Sequence, residues 1–153
     1  MIPTAIDLGT AQTARYSVEV TIGATRARIW QALTEEMGAW WPSEFYTLPT
    51  ATMAFEPCVG GRMFEDTDDS CGRLWYSVLT IVPPDELELA GYLMPAFGGP
   101  GTTLVRILLA GEGGQVTVIL EDALVGRLTE DGVAALQEGW QTLLAALKAH
   151  VEG

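Results

Sequence analysis

The residue types that most often carry chemistry are few in this chain, and their spacing is unhelpful. The only histidine, His150, sits on the flank of a helical pattern close to the last residue, away from any other polar cluster. Cys58 and Cys71 fall in different turn regions, without Cys-x-x-Cys spacing or a nearby histidine, which predicts free thiols rather than a zinc site. The acidic run Glu65 to Asp69 lacks the spaced ligands and closing glutamate of a calcium loop, and it reads as a solvated hairpin tip. Serine, cysteine and lysine nucleophiles have no base beside them in sequence, although a triad does not require sequence adjacency. No metal motif or phosphate-cradling loop is present, and no cofactor or catalytic residue is assigned.

Binding groups are better supplied. Trp40, Trp41, Trp75, Tyr76, Tyr92, Phe97 and Trp140 are large apolar surfaces, several with one polar atom, suited either to core packing or to lining a pocket. Trp140 is the strongest of them, because it lies on an apolar helical stripe with Leu143 and Leu144 close by, and Gly139 beside it frees volume. Arg106, within the apolar run Leu104 to Leu109, is a candidate for orienting a ligand. Alternation leaves its face open, since Leu104 and Leu108 share one side with it and Val105, Ile107 and Leu109 take the other. Glu121 or Asp122 could pair with Arg106, or serve as an acid or base if burial raised its pKa. The ligand-binding set is therefore Trp41, Tyr76, Tyr92, Phe97, Arg106, Glu121, Trp140, Leu143 and Leu144.

These residues need elements to hold them. A chain of 153 residues with 48% hydrophobic content suits one domain over 1–153, burying roughly 70% of its unfolded surface. Twenty acidic against eight basic residues give a formal charge of -12, which disfavours phosphate backbones and anionic headgroups as partners. No stretch has the length and apolarity of a bilayer span, and a cytoplasmic protein, monomer or homodimer, is expected.

Residues 1–14 have no period and read as a loose arm. Tyr16 to Ile22 alternates as a half-buried strand, and Thr25 can cap a short helix carrying Ile29, Trp30 and Leu33, followed by a second turn at Met37 to Trp41. Arg26 and Arg28 in that first turn oppose the helix dipole. Strands are predicted at 52–56, 62–66, 73–82, 86–92, 103–110 and 115–125, joined by Gly- and Pro-rich turns as hairpins. Val133, Leu136, Trp140, Leu143, Leu147 and Val151 recur at three- and four-residue steps, predicting a long amphipathic helix capped by Thr129.

The local motifs match this order. Ile22-Gly23-Ala24-Thr25 through Ile29-Trp30-Gln31-Ala32-Leu33-Thr34 and then Trp40-Trp41, Pro57 with Gly60-Gly61-Arg62, and Gly139-Trp140 with Leu143 and Leu147 together resemble the SRPBCC families. These include the heat-shock-protein ATPase activator homologues and the polyketide cyclase-like proteins. The resemblance runs from about Tyr16 to Val151. It implies an α+β helix-grip (Bet v 1-like) fold, an antiparallel meander sheet curved around a long C-terminal helix, with two short helices after the first strand. It also implies that the space between sheet and helix is incompletely filled. The sequence departs from the family at Thr25, Arg26 and Arg28, where proline and acidic residues are common, and at Tyr92, where a tryptophan often stands. Membership fixes a fold without fixing a function. The first expectation is a non-catalytic binder of a small hydrophobic or amphipathic molecule. The others are a cyclase- or dehydratase-like enzyme, and an interaction module with a filled core and an exposed apolar patch.

Overall fold

Alternating apolar and polar residues set the first strand, β1 (Gln12–Ile22), with Val18 and Ile22 buried and Ser17, Glu19 and Thr21 exposed. The computed structural model describes residues 5–153, so residues 1–4 of the expected arm lie outside the described residues. The arm ends sooner than residue 14, because Gln12 to Ala14 already pair with Gly126 to Leu124.

Helix α1 (Arg26–Glu35) starts where Thr25 Oγ1 accepts the Arg28 backbone N–H at 3.1 Å, and it buries Ile29, Ala32 and Leu33. A one-turn helix, α2 (Met37–Trp40), follows, and the Trp40 indole donates to the Ala32 carbonyl at 2.9 Å. Trp40 is therefore a core residue with a satisfied donor. The two arginines that oppose the α1 dipole have acidic partners. Arg26 pairs with Asp85, Arg28 pairs with Glu36 at 2.8 Å, and Glu36 also takes His150 Nε2 at 2.7 Å. These acids account for an arginine choice that the sequence leaves unexplained.

Six more strands follow: β2 (Thr52–Phe55), β3 (Arg62–Asp66), β4 (Gly72–Val82), β5 (Glu86–Leu93), β6 (Gly101–Glu112) and β7 (Gln115–Gly126). They form one antiparallel sheet in the order β1-β7-β6-β5-β4-β3-β2, so β2 to β7 are a meander and β1 adds beside β7. Side-chain alternation gives the sheet a core face carrying Leu87, Leu89, Val105, Ile107, Leu109, Val116, Val118 and Leu120. Leu104 and Val125 are exposed on the other face.

The long helix α3 (Glu130–Glu152) begins at Thr129, whose Oγ1 accepts the Gly132 N–H at 3.0 Å. Glu130 and Asp131 in its first turn and His150 in its last complement the helix dipole. Trp140, Leu143, Leu144 and Leu147 are buried against the sheet and the short helices. The C-terminal end of α3 is pinned to β1. Glu152 accepts the Gly23 N–H at 2.7 Å, and Lys148 donates to the Thr21 carbonyl at 2.5 Å. Opposite that clamp, the N-terminal half of α3 spans the sheet with small residues on its inner side. The architecture is the helix-grip fold. Among the described residues, no helix is long and apolar enough to cross a membrane.

Candidate functional site

The site forms where α3 faces the sheet with too little side-chain volume. Gly132, Ala135, Leu136, Gly139, Trp140 and Leu143 recur at three- and four-residue intervals and share one helix face, and three of the six are glycine or alanine. Across from them stand Met63 of β3, Trp75 and Tyr76 of β4 and Leu93 of β5. Trp41 and Phe45, after α2, and Phe97 with Gly98, between β5 and β6, complete a pocket of about 390 Å³. That volume lies within the usual range for small-molecule sites.

A bulge sets the aromatic wall. Met63 pairs with Tyr76 and Phe64 with Leu74, leaving Trp75 without a partner of its own on β3. The extra residue turns consecutive side chains, Trp75 and Tyr76, towards the pocket where regular alternation would send one outward. Trp75 meets Phe97 edge-on at 5.2 Å between ring centroids, and Tyr76 packs tilted against Trp140 at 6.1 Å.

Glu65 holds this wall in place. It is fully buried, so the sequence expectation of a solvated tip fails at its first residue. The tip begins only after β3, and the strand turns Glu65 to the core face. Its carboxylate accepts the N–H groups of Thr47 and Leu48 at 2.9 and 3.0 Å, the Thr47 hydroxyl at 2.8 Å and the Trp75 indole N–H at 2.9 Å. Burial pushes this carboxyl up, but the donors from Thr47, Trp75 and Leu48 outweigh it and hold Glu65 below the ordinary glutamate range.

A second buried carboxylate, Asp122, lies deeper on the sheet. It accepts the Tyr16 hydroxyl and the Thr103 hydroxyl, each at 2.5 Å. The Tyr76 hydroxyl lies near Asp122, Thr103 and Trp140, which places a second polar group close to the buried carboxylate at the pocket wall. Burial, and then the nearby Asp122 charge, raise the Tyr76 phenol and keep it protonated. Burial also raises Asp122 above the ordinary aspartate range, with the Thr103 and Tyr16 hydroxyls acting the other way. The folded state thus holds a proton where the unfolded chain, with a pKa of about 3.9, has lost it. This group's contribution to stability is complete below that value and is lost as pH rises through its native pKa. Asp122→Asn, uncharged throughout, should therefore gain thermal stability relative to the native chain as pH rises from about 4 to 7. Melting curves of both chains check this; a gap that stays constant across the range would contradict it.

The structure sorts the residues named from sequence. Trp41, Tyr76, Phe97, Trp140 and Leu143 line the pocket. Leu144 packs beneath it, around a void of only about 10 Å³ that separates the pocket from α1 and α2. Tyr92 is 78% exposed, because on β5 Leu89, Gly91 and Leu93 take the core side. Arg106 and Glu121 also face outward. Val105, Ile107 and Leu109 are buried on the opposite side of β6, and Arg106 Nε bonds Glu86 at 2.6 Å with Glu121 3.5 Å from the guanidinium. The inward carboxylate is Asp122, one residue on from Glu121. Sequence reasoning assigned no ligand-binding role to Phe45, Met63, Leu93, Gly132, Ala135 or Leu136, although Leu136 was on the predicted apolar stripe. The last three were visible as small or apolar residues in register with Gly139 and Trp140. Among the described residues no group of three or more His, Cys, Asp or Glu side chains could hold a metal ion, and Cys58 and Cys71 are free and exposed.

Residues 23–152 match the family of Activator of Hsp90 ATPase homolog 1-like proteins. The chain belongs to this family. The match spans both short helices, the meander and all of α3, the elements that build the pocket. Among curated proteins, none matches the sequence. Solved structures show the same fold at low identity. An uncharacterized protein from Rhizobium leguminosarum is 20% identical with a TM-score of 0.69, covering 94% of this chain and 97% of that one. CalU16 from Micromonospora echinospora is 16% identical with a TM-score of 0.63, covering 94% of this chain and 87% of that one. The Aha1 dimer from Colwellia psychrerythraea is 20% identical with a TM-score of 0.62, covering 91% of this chain and 96% of that one.

Proposed function

We propose that this protein binds a small hydrophobic or amphipathic molecule in the pocket between the sheet and α3, without transforming it. The observation that carries the reading is the facing of Gly132, Ala135 and Gly139 on α3 against Trp75 and Tyr76 on the sheet, which leaves apolar volume where a closed core would have side chains. At ~25 cal/mol per Å² of apolar area removed from water, a ligand burying about 300 Å² gains roughly 7 kcal/mol, which corresponds to low-micromolar binding. The environment-sensitive dye N-phenyl-1-naphthylamine is a neutral probe of this kind. Titrated into the protein, it should brighten and saturate at about one equivalent with a micromolar Kd. No saturable rise, or one that needs many equivalents, would defeat the reading.

A cyclase- or dehydratase-like activity is the second reading, supported by the Tyr76 hydroxyl at the pocket wall, near the Thr103 hydroxyl that donates to Asp122. A phenol held protonated there could donate a hydrogen bond to a carbonyl oxygen. The two readings separate on one outcome: a bound carbonyl compound recovered chemically unchanged supports the carrier, and a product lost in Tyr76→Phe supports the enzyme.

A further inference from the structure

We propose that Arg73 anchors the carboxylate end of an amphipathic ligand whose apolar body fills the pocket; this rests on the binding reading above. Arg73 precedes Trp75 on β4 and pairs in register with Glu65. Its guanidinium carbon stands 5.1 Å from the Phe97 ring centroid and 5.7 Å from that of Trp75, two rings that also line the pocket. Cation-π attraction and one hydrogen bond, from Arg73 Nε to Thr47 Oγ1 at 2.8 Å, fix the group there.

What this cation lacks is an anion. The chain has eight lysines and arginines among twenty carboxylates. Arg26, Arg28, Arg62, Arg106, Arg127 and Lys148 each have a carboxylate oxygen within 4.0 Å among the described residues; Arg15 and Arg73 have none, and of these two only Arg73 packs on rings of the pocket. Its cross-strand partner, Glu65, already accepts four hydrogen bonds and is linked to the Arg73 side chain through the Thr47 hydroxyl they share. A guanidinium has five N–H donors and Thr47 uses one, so the two terminal nitrogens are available for the paired oxygens of a carboxylate. Arg73 does not itself line the pocket but packs on two of its rings, so the headgroup of a ligand whose chain lies among Trp75, Tyr76 and Trp140 would reach it past Phe97.

Two probes with the same chain isolate the headgroup: decanoate and decan-1-ol, each competing against N-phenyl-1-naphthylamine on the full chain at pH 7. Without a cation, an apolar site in a strongly acidic protein favours the alcohol, because the carboxylate has more hydration to lose. With Arg73 acting as proposed, decanoate should compete roughly tenfold better than decanol, as expected for a charge-assisted pair. Arg73→Gln should remove that preference while leaving decanol unchanged, and Arg73→Lys should keep part of it. Equal competition by both probes, a preference that survives Arg73→Gln, or no competition by either would overturn the anchor while dye binding still supported the pocket. If the dye itself fails to bind, the pocket reading falls and the anchor with it.

Discussion

Replacing Glu65 by alanine should cost about 3 kcal/mol of folding stability. The substitution strips the acceptor from two backbone N–H groups, from the Thr47 hydroxyl and from the Trp75 indole, around a side chain with no solvent exposure. Each buried donor left without a partner costs about 1 to 3 kcal/mol, and water entering the vacated space recovers part of that. For a domain of this size the loss corresponds to a fall in Tm of roughly 10 °C. Glu65→Gln keeps a carbonyl acceptor and should cost less. Because the native carboxyl titrates below the ordinary range, its stabilisation is present above the unfolded pKa and is lost as pH falls through the native value. The gap between the native chain and Glu65→Gln should therefore narrow below about pH 4.3. Thermal melts of the three proteins across that range test this; an alanine variant as stable as the native chain would show that Glu65 does not hold the aromatic wall.

Filling the pocket from the helix side should separate binding from stability. A Cβ at position 139 would meet only Phe45 Cε1, at 3.5 Å, an ordinary van der Waals contact. Gly139→Ala should therefore fit, add up to about 1 kcal/mol of helix stability and leave room for ligand. Gly139→Phe has the same small clearance at its Cβ, but its ring must enter the space facing Trp75 and Tyr76. It should weaken binding of N-phenyl-1-naphthylamine by at least about tenfold, the loss expected when much of the apolar contact is displaced, without lowering Tm. Equal affinity for the phenylalanine variant and the native chain would place the dye elsewhere.

The sequence disclosed the fold better than the site, for a physical reason. Strand alternation and the three- and four-residue recurrence in α3 are local patterns that tertiary packing reinforces, so the hairpin-joined meander, both caps and the inward stripe could be read directly, while the place of β1 beside β7 could not. The site depends on register and irregularity. A bulge at Trp75 turned two neighbours inward, which no period reveals. Burial of Glu65 depends on where β3 ends within a continuous acidic run. Arg106 lay between two apolar faces, and only pairing with Glu86 and Glu121 across neighbouring strands shows which is outside. At Glu121 and Asp122, one step of register separated a surface carboxylate from a buried one. Gly139 was the informative exception, because a glycine beside Trp140 on the apolar stripe already marked freed volume, which Gly132 and Ala135 extend.

The central claim concerns where an apolar molecule comes to rest, and anomalous diffraction from crystals grown with 1-bromonaphthalene addresses it without assuming any natural ligand. The bromine peak should lie between α3 and the sheet, within contact distance of Trp75, Tyr76 and Trp140. A pocket closed by the protein's own side chains, with bromine found only on the outer face near Tyr92 and Leu104 or nowhere, would contradict it.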